Sequence, residues 1–155
     1  MNYNKSTRQR VADINLGIHV SRDTDNILTG DSLFTIAGGR VLVNSILGEV
    51  TTLMETKTIN FKLTADPTTG TTTDLCSNLD LTAAEAGSLL TISGVAATAL
   101  QIGKSGSVIG QLFPIAIAIG AIKAVVGATH TGSIKWDIWY IPLDEGAYVE
   151  AAAGA

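Results

Sequence analysis

Two histidines, His19 and His130, and a single cysteine, Cys76, are the side chains of greatest chemical reach in this sequence. Nucleophilic catalysis would need a Ser, Cys or Thr beside a base that a third group orients. His130 lies in Ala-Thr-His-Thr-Gly, which reads as a polar turn carrying a solvent-exposed histidine, and His19 lies in a polar N-terminal segment. One cysteine and two histidines more than a hundred residues apart offer no zinc spacing. Asp23, Asp25 and Asp31 fall in DTDNILTGD, which lacks the ligand spacing and terminal Glu of a calcium loop, so turn capping is their expected work. The triplet Gly103-Lys104-Ser105 invites a phosphate-loop reading, but the upstream glycine of GxxxxGK[ST] would fall at position 98, which is Thr98. No catalytic, cofactor-binding or metal-ligating residue is assigned, and the chain is read as a non-enzyme.

The elements around these residues read as β-structure. Residues 32–52, SLFTIAGGRVLVNSILGEVTT, string β-branched and apolar residues around Gly38-Gly39 and predict two strands and a turn. Residues 58–64, TINFKLT, place Ile59, Phe61 and Leu63 on one face and polar residues on the other. Residues 133–143 do the same with Ile134, Trp136, Ile138 and Tyr140, and Pro142 should end that strand. Shorter strands are expected at 88–93 and 100–102, with turns at Thr29-Gly30-Asp31, 66–70, Ser77-Asn78 and 103–106. The expected helix signal is Thr82-Ala83-Ala84-Glu85, a capping-box pattern that Gly87 would stop after about a turn. Residues 109–126 are the most apolar window, but Gln111, Pro114 and Lys123 interrupt it, and the large–small alternation of Ile115 to Ile119 favours a strand over a membrane span. The fold class is therefore all-β, a β-sandwich or jelly-roll-like domain.

Composition points to association. The chain has 155 residues, enough for one domain. It is 46% hydrophobic and only 15% charged, against about 25% charged in an average soluble domain. Residues 86–136 contain no acid. A surface so poor in charge is expected to face other subunits. The net charge of −4 excludes a general nucleic-acid binder. With one cysteine no intrachain disulfide can form, and the polar, basic start has no apolar signal-peptide region, so synthesis in a cytoplasm is expected.

Residues 1–27 read as an N-terminal arm, 28–148 as the β domain and 149–155 as a flexible C-terminal tail. The arm carries Lys5, Arg8 and Arg10, and Ile14, Leu16, Ile18 and Val20 alternate as a strand laid on another surface would have them. Lys5, Arg8, Arg10, Ile14, Leu16 and Ile18 are the candidate docking residues. Ile115, Ile117, Ile119 and Trp139 are the candidate subunit interface.

The segments LFTIAGGRVLV at 33–43, GEVTT at 48–52, GSIKW at 132–136 and YIPLDEGA at 140–147 resemble those of small virion structural proteins of tailed bacteriophages, above all head decoration (cement) proteins. That resemblance covers the middle and end of the chain and carries no catalytic signature. It implies a β-rich protein, often trimeric, that sits on the outside of the capsid, binds the major capsid protein and stabilises its lattice, with a terminal arm reaching neighbouring subunits. From the charge, the motifs and the interrupted apolar window, no cofactor, nucleic-acid partner or membrane is expected. The alternatives are a tail-tube or other ring-forming virion protein, or a carbohydrate-binding or hydrolytic β domain, which would need paired carboxylates in its largest pocket.

Overall fold

The computed structural model describes residues 6–153. Over the described residues the fold is mostly β: two antiparallel six-stranded sheets pack together as a β-sandwich, with one short helix and no closed barrel. A helix α1 (Thr7–Leu16) leads into β1 (Ile18–Asp25), β2 (Ser32–Ala37), β3 (Val41–Thr52), β4 (Asn60–Pro67), β5 (Thr73–Asp74), β6 (Leu79–Asp80), β7 (Leu89–Thr91), β8 (Gln101–Gly103), β9 (Ile115–Ile117), β10 (Gly120–Val126), β11 (Ser133–Pro142) and β12 (Tyr148–Ala151). Sheet A runs β1-β11-β3-β7-β8, with β9 also on β3, and sheet B runs β12-β2-β10-β4-β5, with β6 also on β4.

The period-2 patterns explain how the layers close. From β4 and the residue before it, Ile59, Phe61 and Leu63 turn inward, and from β11 so do Ile134, Trp136, Ile138 and Tyr140. Phe61 of sheet B and Trp136 of sheet A stack across the interior, ring centroids 6.0 Å apart and planes 13° from parallel. Burying two such rings dominates the apolar stabilisation of a small core. Gly38 and Gly39, both at positive φ, let β2 turn into β3 where a side chain at 38 would strike the Gly146 carbonyl.

Several expectations are corrected. The alternation of Ile14, Leu16, Ile18 and Val20 does not make one strand, because the chain is helical up to Leu16. Ser6 caps that helix: Gln9 N–H donates to Ser6 Oγ at 3.3 Å while Ser6 N–H donates back to Gln9 Oε1 at 3.0 Å. Thr82 starts no helix. Its hydroxyl is taken by the Lys57 carbonyl and by Asp80, and Ala83 sits at φ 52, which breaks any helical continuation. The arm boundary at residue 27 cuts through structure, since β1 is hydrogen-bonded to β11 and Ile27 is in the core. The tail beginning at 149 is likewise no tail at first: Tyr148–Ala151 pairs with β2 and Val149 is buried. The strand expected through 115–119 stops at Ile117, and β10 begins at Gly120, whose φ of 153 and close approach to the Asp66 carbonyl re-aim the chain.

Candidate functional surface

The outward face of sheet A carries the most chemistry. Cross-strand register places His19 of β1 beside Trp139 of β11, and Ser21 beside Asp137. His19 Nε2 lies 2.7 Å from Asp137 Oδ1, and its ring stacks on Trp139 with centroids 4.8 Å apart. The imidazole is thus held by a carboxylate and an aromatic face. No Ser, Thr or Cys hydroxyl or thiol hydrogen-bonds it among the described residues, so the pair has the orienting half of a triad without a nucleophile.

Helix α1 flanks this cluster. Gln9, Ala12 and Asp13 line a 330 Å³ cavity with Ile18, His19 and Trp139. The end of the helix is tied down: Gly17 N–H donates to the Asp13 carbonyl, and Asn44 Nδ2 donates to the Leu16 carbonyl at 2.9 Å. A side chain at Gly17 would run into the Tyr140 backbone, which sets how closely the helix end meets β11. Even so, α1 buries none of its residues. Next to it lies a 320 Å³ groove whose walls include Leu16, Leu47, Leu89, Val108 and Trp139 and no charged side chain.

Gln111 follows directly on the segment that gives the groove Ser107, Val108 and Gly110. On one edge of β3, β9 pairs with residues 41–43 and β7 with residues 47–49, leaving a gap between them. Gln111 fills it as a strand would: its Oε1 accepts from Ile46 N–H at 3.2 Å, and its Nε2 donates to the carbonyls of Val43 at 3.2 Å and Phe113 at 2.8 Å.

Of the docking residues read from sequence, Arg8, Arg10, Ile14 and Leu16 share α1, Ile18 opens β1, and Lys5 lies outside the described residues. The four candidate interface residues do not form one patch. Ile117 is buried in the chain's own core and Ile115 packs against it. Ile119 lines a 340 Å³ cavity with Arg40 and Asp144. Trp139 is on the sheet A face described above.

Other polar sites hold the fold together. Asp144 accepts from Arg40 three times, from its backbone N–H at 2.7 Å, Nε at 2.9 Å and Nη2 at 2.7 Å. The guanidinium, then the backbone amide, keep the Asp144 carboxyl well below the usual range. His130 is buried, contrary to the exposed turn expected for it. Its Nε2 lies 2.8 Å from the Ile27 carbonyl and its Nδ1 3.0 Å from that of Thr131, a loop-tying role. Burial pushes the Cys76 thiol up to about 11, and Sγ accepts from Leu63 N–H at 3.3 Å, so this cysteine is a core residue. Arg22 is the buried charge that sequence reading missed: 2% exposed, it faces the interior from β1 and reaches Asp25 at 3.2 Å. The signal for it is the alternation through Ile18 and Val20, which carried two residues further puts Arg22 on the same side of the strand.

Among the described residues no group of three or more His, Cys, Asp or Glu side chains is placed to hold a metal ion, and no helix is long and apolar enough to cross a membrane. Compared with known proteins, the chain matches no family model, no curated protein and no solved structure.

Proposed function

We propose that this chain is a structural protein of a tailed-bacteriophage virion: a head decoration, or cement, protein that forms a homo-oligomer, a trimer, and stabilises the major capsid lattice from the capsid surface. The observation that carries the reading is helix α1. At 10 residues it is shorter than the ~12–15 residues below which isolated helices are marginal in water. It nevertheless presents Val11, Ile14 and Leu16 to solvent, with Ile14 80% exposed. A short helix with no residue buried in its own chain is suited to packing on another one. The exposed apolar side chains of Ile109, Leu112 and Phe113, in the stretch without acids, support the same reading, as does the resemblance of residues 33–43, 48–52, 132–136 and 140–147 to decoration proteins.

The mechanism is linkage: a protein that binds only the assembled lattice stabilises that lattice by its binding free energy, and several weak contacts in one oligomer add through avidity. The test is light scattering of the purified chain, followed by sedimentation with empty phage heads. An oligomer that travels with the heads and raises their disruption temperature is the expected result. A chain that stays in the supernatant at every head concentration overturns the proposal.

A further inference from the structure

Resting on the reading that this chain self-associates, we infer that helix α1 of one copy docks in the sheet A groove of a second copy, with Val11 and Ile14 against Leu47, Leu89 and Val108 and Arg8 at Glu49. The two surfaces are complementary in shape class and in charge. On the helix, Arg8, Val11 and Ile14 follow at intervals of three, so they run along one side. Neither Val11 nor Ile14 lines the cavity under its own helix or the adjacent groove; their apolar surface is unused within the chain.

The groove offers the matching half. Its walls are apolar where Val11 and Ile14 would sit, and it ends in an acid: Glu49 is the next outward residue along β3 after Leu47 and stands directly across from Leu89. Two residues along a strand span about 6.6 Å, and three along a helix about 4.5 Å. Arg8 therefore reaches Glu49 when Val11 lies on Leu47. Glu49 is exposed and makes no ion pair within the described residues.

Charge over the wider surfaces has the same sense. Asp23, Glu49 and Asp137 face outward from sheet A with Lys135 among them, whereas α1 carries Arg8 and Arg10 against Asp13. Opposite signs steer the helix to this face and set its direction along the groove. The contact joins two different patches of the chain, the arrangement that closes into a ring when its rotation permits.

Two single-substitution chains test the contact: Val11→Cys mixed with Leu47→Cys under mild oxidation. Cys76 is retained, because its burial keeps it out of the reaction. The expected product is a disulfide-linked pair containing one chain of each kind, at least ten-fold above that from Val11→Cys mixed with Thr71→Cys, a control position exposed near sheet B. Adding Glu49→Arg to the Leu47→Cys chain should reduce the product to the control level, and Arg8→Glu in the partner should restore it. A mixed product no greater than the control overturns the inference, whether the wild-type chain is oligomeric or not. Sedimentation with heads reports separately on the proposed function: heads bound without the cross-link remove only this contact, and the cross-link without head binding removes only the capsid assignment.

Discussion

Gly48 of β3 lies directly under the indole of Trp136: a Cβ built at position 48 would stand 2.8 Å from Cζ3 and 2.9 Å from Cη2 of the ring. The two residues face each other across the β3–β11 ladder, so the widest side chain in the core sits over the narrowest position opposite it. Gly48→Ala should therefore destabilise the protein by about 1–3 kcal/mol, the usual cost of overpacking a filled core. Urea unfolding measures it, and in a double-mutant cycle Gly48→Ala should cost less in a Trp136→Leu background than in the wild type. A neutral Gly48→Ala would show that the ring is free to move.

Gln111 stands in for a strand beside β3, and its amide is the partner of Ile46 N–H and Val43 C=O. Gln111→Ala removes both partners at once and should cost about 1–3 kcal/mol, the penalty for stranding buried polar groups. Amide hydrogen exchange gives the more specific readout: Ile46 N–H should lose protection while the β11 side of β3 keeps it.

Acid should unfold this protein through its paired carboxylates. Asp144, Asp66, Asp80 and Glu55 all have their folded-state pKa values lowered, by Arg40, Lys123, Thr82 and Lys57 respectively as the foremost cause. For a group lowered on folding, the stabilisation is complete above the unfolded value, near pH 4 for a carboxylate, and is lost as pH falls through the lower folded value. The urea midpoint should thus hold from pH 7 to about 5 and fall steadily below about 4. Asp144→Asn should lie beneath the wild type at pH 7 and converge on it toward pH 2. Parallel curves would show that the Arg40 pair adds nothing to stability, as exposed pairs often do.

Deletions at two places separate helix from sheet. Removing residues 1–16 takes away α1, none of whose residues is buried, and should leave a cooperatively unfolding sandwich with little change in Tm. Removing residues 1–26 also strips β1 from the edge of β11 and Arg22 from the interior, and should abolish the cooperative transition. Calorimetry on the two truncated chains distinguishes these outcomes.

The parts of the fold legible in sequence are those where burial alternates without interruption. β11 has that form and so do residues 59–63 where β4 begins, before Leu63, Thr64 and Ala65 are buried in succession; Ile59, Phe61, Leu63, Trp136 and Ile138 are all core residues as their spacing predicts. What misleads is local signal of small weight. The same S/T-x-x-E/Q pattern occurs at Ser6–Gln9 and at Thr82–Glu85, and only the first caps a helix. A capping interaction contributes about 1 kcal/mol, which the contacts of Thr82 with Lys57 and Asp80 outweigh. His130 looked exposed because its sequence neighbours are turn residues, but the Ile27 carbonyl that holds it is 103 positions away. For the candidate surface, Arg8, Ile14 and Leu16 could be picked out from sequence, but the groove could not. Leu47, Leu89 and Val108 meet only through the pairing of β3 with β7 and the loop after β8.

In sheet A the strand nearest the N-terminus lies next to the second-to-last strand, with β11 seated between β1 and β3. As the chain leaves the ribosome, β1 and this flank of β3 have no partner until residues 133–142 have emerged, and β2 lacks both its neighbours until β10 and β12 have been made. Pairings this distant along the chain make folding slow and leave unpaired edges open to other copies meanwhile. The sandwich thus cannot close until β10, β11 and β12 have all been made, and a cell making this protein in quantity would have to keep nascent chains apart until then.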